Sequence, residues 1–448
     1  MRYHFIAIGG SVMHALALEL AAQGHRVTGS DDAIHEPSRS RLLAAGLLPA
    51  EEGWFPERIV PELDAVVLGM HARAGNPELV RAQALGLPVY SFPAFVAERA
   101  QAQQRIVVAG SHGKTTTTAL LLHVLKGLGQ EADYLLGATL KGYPQAVRLR
   151  GAPRMVIEGD EYLTSALDPQ PKFLHYRPEL AILTGIAWDH VNVFPTYASY
   201  RQAFIDFLHT LAPGATLVYN AEDPAVTEVV AQAGGHLTCT PYTTPPYRYL
   251  PTGTEVTLGG ATGQVQVFGA HNLSNLAATY GVVQALGFST EAFLAAAGSF
   301  TGADKRLEVV HDAGGLTVIR DFAHAPSKVR ATVAAVRERY QGRPIAAVLE
   351  LHTYSSLQPD FLPHYQGALA GLEAPLVVVD PEALRLKQRA PLTEAQLRTA
   401  FDHQGLRLVG APEALRAALR AAAAQPGAVV LLMSSGALLG VPWEAALG

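Results

Sequence analysis

Short apolar runs alternate with longer amphipathic stretches from one end of the chain to the other. Phe5-Ile6-Ala7-Ile8 stops at Gly9-Gly10, and apolar residues then return at helical spacing from Val12 until Gly24 ends the pattern. That reads as strand, tight turn, helix. Further runs at 26–30, 65–69 and 87–90 predict strands, the first two ending at Asp31-Asp32 and Met70-His71, and a polar stretch closes this unit near residue 103. A second unit opens with the strand 105–109 and continues past residue 300, with strands at 155–157, 181–183 and 216–219. Within it, residues 241–263 are rich in Pro, Thr, Tyr and Gly and suit hairpins or loops. A third unit begins near Leu307, with strands at 316–320, 344–349, 375–379 and 428–433 and an Ala-rich helix at 413–424. Strands separated by helices in this order predict an α/β protein built on parallel sheets with crossover helices.

The length of 448 residues agrees with three domains at about 150 residues each. Boundaries are expected at 1–103, 104–306 and 307–448. Apolar residues make up 49% and charged residues 16%, which is enough to build packed cores. Lys plus Arg is 34 against 39 Asp plus Glu, a net charge of −5, so a nucleic-acid partner is not expected. The single cysteine, Cys239, rules out an internal disulfide and a cysteine-based zinc cluster. The first apolar run is too short for a secretory signal, and no run reaches the roughly 18 residues of a membrane span, so a cytoplasmic protein with no membrane partner is expected.

The sharpest chemical signal is Gly110-Ser111-His112-Gly113-Lys114-Thr115-Thr116, which lies between an Ile/Val strand and a helical run predicted over 118–128. Glycines let successive N–H groups turn inward on phosphate oxygens, and the helix that follows adds its positive end. Lys114 suits the terminal phosphates and the Thr115 hydroxyl suits a magnesium ion. Val108 stands where the common eight-residue pattern has glycine. Two acidic clusters follow later strands, Glu158-Gly159-Asp160-Glu161 and Trp188-Asp189-His190, at the strand ends where open parallel sheets bind ligands. In the first unit Gly10 and Ser11 at the turn, with Ser30, Asp31 and His71 at strand ends, are candidate substrate contacts or ordinary loop caps.

Taken together with His271-Asn272-Leu273-Ser274-Asn275, these motifs resemble the Mur ligase family, ATP-dependent enzymes that form amide bonds in peptidoglycan metabolism. Glu158-Gly159-Asp160-Glu161-Tyr162, Lys172-Phe173-Leu174-His175-Tyr176-Arg177-Pro178 and Asp321-Phe322-Ala323-His324 are most similar to the murein-recycling, tripeptide-adding branch, with the L-alanine-adding branch as the alternative. The resemblance implies a Rossmann-like N-terminal domain for UDP-N-acetylmuramate, a central P-loop ATPase-type domain with a parallel sheet, and a Rossmann-like C-terminal domain for the amine. It implies ATP and Mg2+ as cofactors, and UDP-N-acetylmuramate with a murein tripeptide or L-alanine as substrates.

The resemblance also assigns roles by position. Lys114 and Thr115 hold phosphates, Thr115, Glu158 and His190 hold magnesium, Asn272 and Asn275 contact the nucleotide, and Arg306, Asp321 and His324 reach ATP. Lys114, Arg306 and His324 are the candidate catalytic groups. This chain departs from the family pattern at Ala325, where a second His is usual, and at residues 200–207, which contain no lysine. The implied chemistry is transfer of the ATP γ-phosphoryl group to a carboxylate, followed by attack of the amine on the acyl phosphate. The contrasting class is a binding protein in which ATP drives closure without ligation.

Overall fold

The computed structural model describes residues 1–137, 140, 142–165, 167–188 and 193–447. Its first sheet is parallel, with order β2-β1-β3-β4, formed by β1 (Arg2–Ile6), β2 (Arg26–Ser30), β3 (Ala65–Leu68) and β4 (Val89–Ser91). The central sheet contains β5 (Gln104–Ala109), β6 (Ala132–Leu135), β7 (Val147–Arg148), β8 (Arg154–Glu158), β9 (Leu180–Leu183), β10 (Thr216–Asn220) and β11 (Thr238–Tyr242). Its order is β11-β10-β9-β5-β8-β6-β7, antiparallel only at β6/β7 among these pairs. A three-stranded sheet follows, formed by β12 (Tyr247–Leu250), β13 (Gly253–Leu258) and β14 (Ala261–Val265). The last sheet uses β15 (Glu308–Ala313), β16 (Leu316–Asp321), β17 (Ile345–Leu351), β18 (Leu376–Val379), β19 (Arg407–Val409) and β20 (Val429–Met433), in the order β15-β16-β20-β17-β18-β19.

Every residue of β3, β9, β18 and β20 is buried, as parallel strands covered by helices on both faces require. Each Val, Leu or Ile buried this way contributes about 1.5–3 kcal/mol relative to exposure. The first sheet packs a core of Ile6, Ile59, Val66, Leu68 and Leu79. The last has a core on each face, one around Ile319, Val333, Leu349 and Leu431, the other around Val318, Val378, Leu415 and Leu432. In the central sheet the chain goes from β5 to β6 on one side and returns to β9 on the other. The reversal sits at β5 and opens a crevice at the carboxyl ends of β5, β8 and β9.

The chain divides into two compact units. One contains residues 1–245, 257–263 and 274–298, and therefore both the first and the central sheet. The other contains 246–256, 264–273 and 299–448. Within the first unit the helix Ser11–Ala22 is tied to the central sheet by buried Glu19, whose Oε1 accepts from the Leu149 N–H and Arg150 Nε, both at 3.2 Å. The same helix is tied further by Gln23 Nε2, which donates to the Leu149 carbonyl at 2.5 Å.

Local differences from the sequence reading have local causes. The first strand ends at Ile6 rather than Ile8, because Ala7 turns left-handed (φ 67) and the Ala7 and Ile8 N–H groups both donate to the Ser30 carbonyl. The helix after the phosphate loop starts at Lys114, not at 118, so Lys114 and Thr115 lie in its first turn. β6, β7, β11, β15 and β19 carry no apolar run long enough to announce them; β11 is largely exposed and β15 has no fully buried residue. Cys239 is half-buried.

Candidate functional site

β5 leads into Gly110 (φ 130), and Gly113 (φ 80) starts the helix Lys114–Gly127. Both glycines are required by conformation and by space. A Cβ on Gly110 would lie 2.2 Å from Thr184 Oγ1, and one on Gly113 would lie 2.4 Å from Asn275 Oδ1. The loop is sewn to the end of β9: the Ser111 N–H donates to the Gly185 carbonyl (2.9 Å), the Ala187 N–H to Ser111 Oγ (2.6 Å) and Thr184 Oγ1 to the Ala109 carbonyl (3.1 Å). Val108 is a fully buried β5 residue paired with Glu158 and Ile182, so the loop proper runs from Gly110 to Gly113 and a glycine at 108 has no task here.

Carboxylates from the end of β8 meet the first turn of that helix. Thr115 Oγ1 donates to Glu158 Oε1 at 2.7 Å, and Glu158 Oε2 accepts from the Gly137 N–H at 3.0 Å. Lys114 Nζ donates to Glu161 Oε2 at 2.6 Å and to the Gly110 carbonyl at 2.5 Å, while the Tyr200 hydroxyl donates to Glu161 Oε1. Burial works to lower the Lys114 pKa, but Glu161, Asp160 and Glu158 together outweigh it and hold the ammonium above its ordinary value. Lys172 Nζ contacts Asp160 Oδ2 at 2.5 Å. Burial works to raise the Asp160 carboxyl, yet Lys172 and Lys114, with the Tyr162 N–H, hold it below the usual carboxylate range.

Next to this loop a cleft of about 750 Å³ lies between the first and central sheets. Gly9, Gly10, Ser11, Asp31, Arg41 and His71 line it from the first-sheet side, and Gly137, Glu158, Asp160 and Lys172 from the central-sheet side. On the first-sheet side the Gly9 N–H donates to Asp31 Oδ2 (2.7 Å), and His14 Nδ1 lies 2.9 Å from the Gly10 carbonyl and 3.0 Å from Ser38 Oγ. Ser30 is fully buried, with Arg58 NH1 3.4 Å from its Oγ, and does not line the cleft, because the strand pleat turns it away from the Asp31 side.

The remaining sequence-predicted residues fall as follows. Asn275 backs the phosphate loop, whereas Asn272 belongs to the other unit and donates from Nδ2 to the Phe268 carbonyl at 3.0 Å. In that unit Arg306 lies over the Phe322 ring (4.6 Å), and Asp321 accepts from the Leu307 and Ala323 N–H groups (2.7 and 2.6 Å). His324 Nδ1 lies 2.8 Å from the Phe322 carbonyl. Asp189 and His190 are outside the described residues. No group of three His, Cys, Asp or Glu suited to a metal occurs among the described residues. Sequence reasoning placed Asp160 and Glu161 in an acidic cluster at a ligand-binding strand end without separate roles, and gave no role to Lys172 or Thr184. Lys172 was visible as part of a family motif, while Thr184 carried no signal.

Fold and site define a P-loop nucleotide-dependent α/β protein whose phosphate loop shares a carboxylate with a substrate-sized cleft. Family profiles match in order along the chain: "Mur ligase family, catalytic domain" over residues 2–104, "Mur ligase middle domain" over 108–283 and "Mur ligase, glutamate ligase domain" over 305–436. A UDP-N-acetylmuramate–L-alanine ligase of Chloroflexus aggregans is 32% identical over 385 residues, 79% of this chain and 78% of the relative. The UDP-N-acetylmuramate:L-alanyl-γ-D-glutamyl-meso-diaminopimelate ligase of Neisseria meningitides is 28% identical with a TM-score of 0.60, covering 67% of this chain and 98% of that one. The UDP-N-acetylmuramate–alanine ligase of Thermotoga maritima shares the fold over 100% of this chain and 97% of its own, with a TM-score of 0.71 at 21% identity. The chain belongs to the Mur ligase family and is an ATP-dependent amide-forming ligase with three Mur ligase domains. No described helix is long and apolar enough to cross a membrane.

Proposed function

We propose that this enzyme joins the carboxylate of UDP-N-acetylmuramate to the amine of L-alanine. Glu158 carries the reading, because one carboxylate both bonds to Thr115 of the phosphate loop and lines the cleft that Gly10, Ser11, Asp31 and His71 also line. Nucleotide sugar in the cleft and ATP on the loop would therefore meet at Glu158. The L-alanine acceptor stands ahead of the tripeptide that the motifs favoured, because relatives named UDP-N-acetylmuramate–L-alanine ligase match 79% to 98% of the chain. The tripeptide acceptor is the second reading, favoured by the 28% identity to the Neisseria enzyme.

In this reading residues 1–103 take the sugar nucleotide, 104–306 take ATP and 307–448 take the amine. The Gly110–Gly113 backbone, with Thr116 behind it, cradles phosphates, and Lys114 leaves Glu161 to neutralise the migrating phosphoryl group. Thr115 and Glu158 offer hard oxygen donors that fit Mg2+, with His190 as a further ligand by family resemblance. When bound, that ion would offset charge on the phosphate oxygens. The substrate carboxylate oxygen attacks Pγ and ADP leaves. The neutral amine then attacks the acyl carbon, the C–O bond to phosphate breaks, and the amine gives up a proton. By family resemblance, Arg306 would add positive charge at the phosphates, Asn275 and Asn272 would contact the nucleotide, and Asp321 and His324 would act from the C-terminal domain. The test is ADP release with UDP-N-acetylmuramate, ATP and Mg2+, comparing L-alanine with L-Ala-γ-D-Glu-meso-diaminopimelate. Turnover with L-alanine and a product of matching mass supports the first reading, turnover with the tripeptide alone supports the second, and turnover with neither removes both.

A further inference from the structure

We propose that Lys172 is a catalytic residue that receives the carboxylate of the sugar nucleotide and holds it for phosphorylation. The proposal rests on the reading of the cleft given above. Phosphorylating a carboxylate brings two anions together, and the cleft walls add to the repulsion through Asp31, Asp32, Glu36, Glu158 and Asp160. Among the described residues, two permanent cations line the same cleft. Arg41 is on the first-sheet side, where its NH1 lies 3.4 Å from His14 Nε2, and Lys172 is on the central-sheet side with Glu158 and Asp160. With the phosphates of the nucleotide sugar on Arg41, Lys172 is the remaining described cation of the cleft for its carboxylate.

The chain holds this lysine in place with unusual care. Lys172 opens a short 3-10 turn, Lys172–His175, pinned by its own N–H donating to the Tyr162 carbonyl (3.0 Å) and by the Phe173 N–H donating to the Asp160 carbonyl (3.1 Å). Phe173 is fully buried and stacks on Phe207 at 4.7 Å. The Lys172 side chain is 11% exposed, with its ammonium 5.5 Å from the Tyr162 ring centre and 5.8 Å from that of Phe92. Phe92 comes from the first domain, so the lysine stands where the two walls of the cleft meet. Asp160 Oδ2 bonds to Lys172 Nζ at 2.5 Å and the next residue, Glu161, bonds through Oε2 to Lys114 Nζ at 2.6 Å, so consecutive carboxylates hold the lysine for the acceptor oxygen and the lysine for the terminal phosphate. In the step itself the carboxylate oxygen bonds to Pγ, the bond from Pγ to the ADP oxygen breaks, and no proton moves. Lys172 therefore acts by charge and position, not as an acid or base.

The experiment compares full-length wild type with Lys172→Met and Lys172→Arg. Three quantities are measured: binding of UDP-N-acetylmuramate, binding of UDP-N-acetylglucosamine, which lacks the lactyl carboxylate, and trapping of the acyl phosphate as a hydroxamate with ATP, Mg2+ and hydroxylamine. K172M is expected to bind UDP-N-acetylmuramate about 10- to 100-fold more weakly and UDP-N-acetylglucosamine unchanged, as loss of one charge-assisted contact predicts. Hydroxamate formation is expected to fall by about 100-fold or more, with K172R recovering part of both losses. Equal weakening toward both sugars, or hydroxamate formation at the wild-type rate, overturns the proposal. If K172M fails to fold, K172R decides: selective loss for the carboxylate-bearing sugar supports the role, and unchanged selectivity refutes it. A wild-type enzyme that forms no hydroxamate from UDP-N-acetylmuramate refutes the underlying substrate reading, and the role of Lys172 falls with it.

Discussion

Gly113→Ala tests whether the phosphate loop is built by steric necessity. Two costs combine at this position. Gly113 sits at φ 80, and placing an L-residue there costs about 1–2 kcal/mol. Its Cβ would also lie 2.4 Å from Asn275 Oδ1, about 1 Å inside van der Waals contact. Relieving that overlap, with Asn275 itself buried, adds about 1–3 kcal/mol. The expected destabilisation is about 2–5 kcal/mol, with weaker ATP binding because the loop amides are displaced. Gly129→Ala is the control, since Gly129 has a similar φ of 70 and nothing within 4 Å of its would-be Cβ. It should cost about 1 kcal/mol. Asn275→Ser in the Gly113→Ala background should recover about half the loss, a coupling of about 1–2 kcal/mol between touching residues. The assay is urea denaturation, read on the transition that ADP shifts, because the chain has two compact units. If Gly113→Ala costs no more than Gly129→Ala, or the Asn275 change recovers nothing, the steric account is wrong.

Three further outcomes follow from the same geometry. Lys114→Met should lower kcat by about 10²–10³-fold while leaving UDP-N-acetylmuramate binding near wild type, measured by steady-state ADP release and calorimetry; an equal loss of sugar binding would contradict its place on the phosphate loop. Glu158→Gln removes a charged oxygen bonded to Thr115 and should raise the Mg2+ concentration needed for half-maximal turnover by about tenfold or more, against no change if Glu158 is only structural. Burial, outweighing the Leu307 N–H, Arg306 and the Ala323 N–H, pushes the Asp321 carboxyl up from 3.8 to about 6. A raised folded pKa stabilises fully below the unfolded value and is lost as pH rises through the folded one, so stability should fall by about 3 kcal/mol between about pH 4 and pH 6. Asp321→Asn should flatten that slope, and chemical denaturation across this pH range would show equal slopes if the reasoning fails.

The α/β class, the parallel character of the main sheets and the phosphate loop are all legible in the amino-acid sequence. Each rests on short-range pattern: Ile/Val runs, helical spacing, and glycines between a strand and a helix. It also located Glu158 and Asp31, because an acid directly after a buried strand must lie at the strand's carboxyl end. Tertiary structure decided the rest. Sequence spacing gives no hint that Thr184 and Asn275 press on the two loop glycines, since those contacts depend on how β9 and the helix Ala270–Ala285 fold back on β5. Nor does it separate Ser30, buried behind the cleft, from Asp31 on its wall, because one pleat reverses a side chain's direction and the edge of a cleft is set by its neighbours. Lys172 shows the same limit. It was legible as one letter of a motif, and it became a cation at the meeting of two domain walls only when Phe92, Tyr162 and Asp160 converged on it from three separate segments.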